Sequence, residues 1–214
     1  MTDLPASDPN ASFPPTLLAA SIAVWVATLA LAWPLVAHFG LAGDDPGDAA
    51  RAPLEHVPPF SPQALEALLE ADQAGRRVAE IDWDTLRVAD AERRQVVSAW
   101  LERGWIREGR GLWCAAMIFQ HGNQVAHYAR ARELAERAVA AGCAEAKWLK
   151  AAAEDRWLLA QDRPQRYGTQ FQEVDGVWRL APVDPSVSDD ERARWDVPPL
   201  AEARRHARDM NGPE

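Results

Sequence analysis

His121 closes an apolar run and stands four residues after Met117 and eight after Trp113, so the three share one helix face. That face should point inward. An inward imidazole needs a partner, most simply a carboxylate, and with one it becomes a general base or acid near neutral pH. The end of a helix is also where the macrodipole favours the protonated ring. Two carboxylates lie on comparable faces. Asp155 follows Trp148 by seven residues and precedes Leu159 by four, and Asp72 extends the stripe of Leu65 and Leu69. Arg76 follows Asp72 at i+4, an acid–base pair in the favourable order. His121, Asp155 and Asp72 are therefore the candidate catalytic residues. Arg76 and His121 are both suitable mates for Asp155, whereas Arg156 is not assumed to be one, because adjacent helical positions point about 100° apart. The bland reading is a core histidine that ties helices together and an ion-pair network that locks them.

A third group is the run DRPQRYGTQ, Asp162 to Gln170. Gln165, Tyr167, Thr169 and Gln170 are neutral hydrogen bonders, and Gly168 permits close backbone approach. Such amides and hydroxyls in a cleft read a small polar ligand, or they staple one segment to another. No serine sits in a nucleophile elbow and no Gly-rich phosphate loop occurs. The two cysteines, Cys114 and Cys143, form no CxxC. They could pair in an oxidising compartment or stay buried thiols in a reducing one. Cys114 and His121 are seven apart, but two ligands do not make a zinc site. Neither a metal nor a cofactor is expected.

Apolar spacing, caps and breakers place the elements that must hold these groups. Ser61-Pro62 opens a helix that should run to about Arg77. Further helices are expected at about 88–103, 112–121, 125–141 and 145–160. Residues 167–180 should then form a β-hairpin around Asp175-Gly176, with Phe171 opposite Leu180 and Glu173 opposite Trp178. Tyr167 and Thr169 would extend the face of Phe171, and Gln170 the opposite one. Prolines break the chain at 182, 185, 198 and 199, and a short amphipathic helix at 200–208 ends it. Ten tryptophans are many for 214 residues; the eight beyond the N-terminal segment are read as core rather than as a sugar-stacking surface.

Several of these pieces occur together in a recognisable order. DQAGR (Asp72–Arg76), GW (Gly104-Trp105), QH (Gln120-His121), DR (Asp155-Arg156), QRYGTQ (Gln165–Gln170) and PVDP (Pro182–Pro185) resemble the bacterial family catalogued as domain of unknown function 6624. The resemblance covers roughly residues 65–205, and the chain departs from it just after QH, where Gly122-Asn123-Gln124 replace acidic residues. It implies no activity. It does imply that Asp72, Arg76, Gln120, His121, Asp155, Arg156, Gln165, Tyr167, Thr169 and Gln170 belong to one constellation; on the residues' own chemistry, Arg76, Gln120, Arg156, Gln165, Tyr167, Thr169 and Gln170 are the candidate ligand-binding residues.

The N-terminal region says where such a site would work. No charged residue lies between Asp8 and Asp44, and Leu17–Ala37 is 21 residues of nearly pure hydrocarbon. At about 1.5 Å per residue that run spans roughly 31 Å, the thickness of a bilayer's apolar core. The first ten residues carry no lysine or arginine, which disfavours a secretory signal even though Leu41–Gly43 could be cleaved. The expected fold class is mainly α: an N-terminal single transmembrane helix plus a soluble helical domain with one C-terminal β-hairpin. The expected divisions are a tail at 1–16, the transmembrane helix at 17–41, a Pro/Gly/Asp-rich linker at 42–61 and the soluble domain at 62–210. The expected partners are the membrane, through 17–41, and a small polar ligand; the location is the bacterial cell membrane, single-pass.

All 23 basic residues lie at or after Arg51, while five of the 32 acidic ones precede it, leaving 27 acids against 23 bases there. That balance excludes the basic face of a nucleic-acid binder. Three functions remain open: a hydrolase or transferase acting on a small polar substrate, a tethered ligand-binding or envelope interaction module, and a purely structural cluster.

Overall fold

The computed structural model describes residues 56–212. The expected tail, transmembrane helix and most of the linker lie outside the described residues. Among those described, no helix is long and apolar enough to cross a membrane. Within this region seven helices and one antiparallel hairpin follow in order: α1 (Pro62–Ala74), α2 (Trp83–Glu102), α3 (Gly109–Phe119), α4 (Val125–Ala140), α5 (Ala146–Leu159), β1 (Phe171–Val174), β2 (Val177–Leu180), α6 (Asp189–Arg194) and α7 (Leu200–Asp209). The expected helical class with one hairpin holds here.

Helix α3 is the centre. Every residue from Leu112 to Phe119 is buried, as a helix apolar on all sides must be. It packs most extensively on α4, which packs in turn on α5, while α1 and α2 cover α3 from its other side. Small side chains (Ala131, Ala135 and Ala138 of α4; Ala146, Ala152 and Ala153 of α5) are fully buried and allow these helices to approach closely. The C-terminal segment packs on the far side of α5, where Tyr167, Val187 and Val197 meet Ala151, flanked by Trp148 and Trp195.

Element ends differ from expectation for identifiable reasons. Helix α1 stops at Ala74 rather than Arg77, because Arg76 folds back and donates from Nη1 to the Asp72 carbonyl at 2.8 Å, filling an acceptor the helix would leave open. Helix α2 starts five residues early: Asp82 accepts from the Thr85 amide at 3.1 Å and from its hydroxyl at 2.7 Å, a side-chain cap that outweighs the weak apolar signal there. Helix α6 was not expected at all, yet Ser188 Oγ accepts from the Glu191 amide at 3.2 Å, the first half of a capping box.

The hairpin keeps the expected register, Phe171 with Leu180 and Glu173 with Trp178. Asp175 and Gly176 both take positive φ, 55° and 76°, as a two-residue hairpin turn requires. The strand, however, begins at Phe171. Residues 167–170 are loop, so Tyr167, Thr169 and Gln170 do not share strand faces. Asn211 holds the free edge of β2, accepting from the Trp178 amide at 2.8 Å and donating to its carbonyl at 3.0 Å.

The core reading of the tryptophans holds fully for two. Trp100 is buried and donates to the Pro58 carbonyl at 2.9 Å, and Trp113 is buried beneath Arg110, 4.3 Å from its ring centre. Trp157 and Trp195 instead serve as platforms for cations, Arg132 at 4.4 Å and Lys150 at 4.1 Å. Cys114 and Cys143 are both buried free thiols, and burial pushes Cys114 up to about 11, so it is no nucleophile at neutral pH.

Gly122 follows the α3 end at a point of close approach, where any Cβ would overlap the His127 ring. Gly122→Ala should therefore lower unfolding stability by about 1–3 kcal/mol in a denaturant titration. An unchanged midpoint would mean that His127 swings away freely.

Candidate functional site

The end of α3 meets the end of α1, and the first half of the site is built there. Asp72 lies on the buried stripe of α1 and is sealed from solvent. His121 sits in the turn just past α3, its Nδ1 2.8 Å from Asp72 Oδ2. Gln73 Nε2 donates to the same oxygen at 2.9 Å, and Arg76 Nη1 donates to Oδ1 at 3.0 Å. Arg76 then bridges to α2, donating from Nη2 to Asp90 Oδ2 at 2.6 Å, while Arg93 donates to Asp90 Oδ1 at 3.0 Å. The expected i, i+4 pair of Asp72 and Arg76 is thus part of a longer buried chain: His121, Asp72, Arg76, Asp90, Arg93.

Burial works against the ionised form of Asp72, but His121, Arg76 and the Gln73 amide together outweigh it and hold the carboxyl below its ordinary range. Burial also pulls the His121 ring below its ordinary 6.5, with Arg76 and Arg156 adding to the effect and Asp72 opposing it. This corrects the expectation from the macrodipole. A helix end favours a charged ring by a fraction of a kcal/mol, about 0.3–1 when exposed, and burial among arginines is larger. At neutral pH the pair is an ionised carboxylate and a neutral ring whose Nδ1–H donates to it. The other ring nitrogen, Nε2, makes no hydrogen bond among the described residues.

The second half of the site lies across α5. Asp155 takes neither Arg76 nor His121 as its mate. Its Oδ1 accepts from the backbone amides of Arg166 at 2.8 Å and Tyr167 at 3.0 Å. Its Oδ2 accepts from the Thr169 amide at 3.0 Å and hydroxyl at 2.8 Å. One buried carboxylate thereby gathers the loop from Arg166 to Thr169, and Gly168, at φ 85°, supplies the bend between the donors. Gln165 does the same from inside the loop. Its Nε2 donates to the carbonyls of Gln170 and Ala181, both at 2.9 Å, and its Oε1 accepts from the Gln170 amide at 2.9 Å. Gln170 Nε2 donates to Thr169 Oγ1 at 2.8 Å. Tyr167 is buried, with its hydroxyl 3.3 Å from Lys150 Nζ. Burial pushes the Asp155 carboxyl up, because the amide and hydroxyl donors it has gained carry no full charge.

Gln120 and Arg156 pair with each other beside the two halves. Arg156 Nη1 donates to Gln120 Oε1, and Gln120 Nε2 lies 3.1 Å from Met117 Sδ. Arg156 is buried, which lowers its pKa to about 10, and it remains charged at any physiological pH. The ten sequence-predicted residues fall into two clusters, a charged one around His121 and a loop-holding one around Asp155, and the Arg156–Gln120 contact links them only through chain neighbours, since Arg156 follows Asp155 and Gln120 precedes His121. Sequence reasoning missed Asp90 and Arg93. Asp90 was findable: it lies four residues after Leu86 and seven before Val97, the criterion that selected Asp72.

Comparison with protein-family models, curated proteins and solved structures gives no match for this chain.

Two outcomes test the assigned charges and contacts. An unfolded His121 takes up a proton near 6.5 that the folded ring refuses until a lower pH. Stability should thus be full above 6.5 and fall as pH drops through and below that value, and His121→Gln should lose this part of the pH dependence. Equal slopes for the two proteins would show that the ring is not held neutral. Asp155→Asn turns an NH₂ group toward donors, and should cost about 1–3 kcal/mol for each of the amide hydrogens left without an acceptor. Urea denaturation measures the loss.

Proposed function

We propose that this domain is an acid–base enzyme, a hydrolase or transferase acting on a small polar substrate, tethered to a bacterial membrane by residues 17–41. One observation carries the reading: the 2.8 Å contact between His121 Nδ1 and Asp72, which leaves a neutral ring with Nε2 unclaimed. In that state His121 takes a proton from water or from a substrate hydroxyl through Nε2. Asp72 holds the tautomer and stabilises the imidazolium that forms. Arg76 and Asp90 keep Asp72 in place. Asp155, Gln165, Thr169 and Gln170 act as positioning residues, since they hold the loop that Asp155 gathers from the residue preceding Arg156. The ordered motifs support kinship with domain of unknown function 6624, and the 21-residue apolar run supports the tether.

A binding module without turnover is the second reading, favoured by the density of buried arginine around the ring. A thermal-shift screen of polar metabolites on the detergent-solubilised full chain separates them, because a hit names the substrate class. His121→Ala and Asp72→Asn should each lower turnover by about 10²–10⁴-fold while retaining the hit, with Asp72→Asn also losing about 3–5 kcal/mol of unfolding stability because it leaves Arg76 one buried carboxylate short. A hit bound equally well by all three proteins, with no turnover in any, would make the domain a sensor. Failure of both variants to fold would return the pair to a structural role.

A further inference from the structure

The hairpin has two edges, and the fold closes one of them. The Ala181 amide donates to the Gln170 carbonyl at 3.1 Å, so the hydrogen-bonded pairs of the ladder are Gln170 with Ala181, Gln172 with Arg179 and Val174 with Val177. Backbone groups of the alternate residues point away from the partner strand. On β2 this is seen directly, because the Trp178 amide and carbonyl turn outward and Asn211 takes both. By the same alternation the amides and carbonyls of Phe171 and Glu173 turn outward from β1. These groups have no hydrogen-bond partner among the described residues. Helix α7 covers β2, whereas no described element other than β2 packs substantially on β1. All four β1 residues keep partial exposure.

An open edge of this kind is a template for one more strand, held by main-chain hydrogen bonds. The residues of β1 decide which strand fits. A second copy of β1, running antiparallel, can meet the outward groups centred on Phe171, on Gln172 or on Glu173. Centred on Glu173, two carboxylates stand directly opposite each other, which is destabilising. Centred on Phe171, the Thr169 amide would have to face Glu173 of the second copy, and it is already given to Asp155 at 3.0 Å. Centred on Gln172, Phe171 of each copy meets Glu173 of the other, and every outward amide and carbonyl finds a mate. Gln172 then faces its own counterpart across a two-fold axis, where a neutral side chain is required. Glu173 is the strand's one charge, and in this register it lies opposite an aromatic ring.

We propose that β1 is a self-pairing edge. Two copies of this chain join antiparallel through Phe171–Val174, centred on Gln172, into one four-stranded sheet in the order β2-β1-β1-β2. The inference goes beyond the acid–base reading and does not depend on it. Its bearing on the site is that β1 follows directly on the loop that Asp155 gathers, so pairing braces that loop.

The interface is small, and a covalent trap is its sensitive test. Opposed residues of a non-hydrogen-bonded pair have Cα atoms about 4.5 Å apart, within the roughly 4.4–6.8 Å that a disulfide spans. Gln172→Cys in the detergent-solubilised full chain, oxidised with copper phenanthroline, should therefore give a covalent dimer on a non-reducing gel. The unsubstituted chain, whose Cys114 and Cys143 are buried, should give none. Arg179→Cys, one strand further from the axis, should cross-link about tenfold more slowly or less. Adding Glu173→Pro to Gln172→Cys removes an outward amide from each copy and no ladder bond, and should slow cross-linking by at least about tenfold. If the proline variant does not fold, the ratio of Gln172→Cys to Arg179→Cys cross-linking decides. The proposal is overturned if Gln172→Cys gives no dimer, if Arg179→Cys cross-links equally fast, or if cross-linking survives the proline in a folded chain. A monomer whose Phe171 and Glu173 amides resist hydrogen exchange would overturn it too, by placing a different segment on the edge.

Discussion

A carboxylate with no access to water governs this fold. Asp72 has 0% exposure, and a charge in that position is tolerated only when several donors face it. The donors come from its own helix end (Gln73 and Arg76) and from the turn after α3 (His121), and Arg76 carries the network on to Asp90 in the middle of α2. Three helices are thereby pinned at one point. The attraction is not obviously a source of net stability. An ion pair at 4 Å is worth about 4 kcal/mol at an effective dielectric of 20, and desolvating each ion costs several kcal/mol. What the arrangement does secure is geometry. Removing any one partner leaves the others as buried charges, so the alternatives are far worse than the observed state.

Asp155 shows what the same residue type does with different neighbours. Its four acceptor positions are filled by three backbone amides and one hydroxyl, none of them charged. Burial therefore prevails and pushes its carboxyl up, whereas cations hold Asp72 down. The first is suited to holding a loop and the second to holding a proton carrier. The division between a loop-holding half and a charged half of the site follows from donor type alone.

That division explains which parts were legible in the sequence. The stripe of Leu65, Leu69, Asp72 and Arg76 is a local pattern, and it predicts both the burial of Asp72 and its pair with Arg76. Asp175-Gly176 is local too, and it fixed the hairpin register correctly. Asp155 was rightly placed on an inward face, but its partners are backbone amides in a loop well beyond its own helix, and no side-chain pattern announces a backbone donor. Residues 167–170 looked like strand because alternation is blind to a carboxylate that draws three amides into a turn. Arg93 carries no signal of its own, since an arginine on a helix is usually at the surface. Its place in the network depends on how Arg76 of α1 meets Asp90 of α2, which is a property of the tertiary fold.

The protonation of His121 is then set by a contest among its neighbours. Arg76 and Arg156 disfavour the imidazolium and Asp72 favours it, and in the empty site burial decides for the neutral ring. Asp72 faces the same burial and comes out on the other side, because the charge of Arg76, the His121 ring and the Gln73 amide together outweigh the cost of desolvating its carboxylate. The two partners of one 2.8 Å contact are thus held in opposite states, the carboxylate charged and the ring neutral, by the same surroundings.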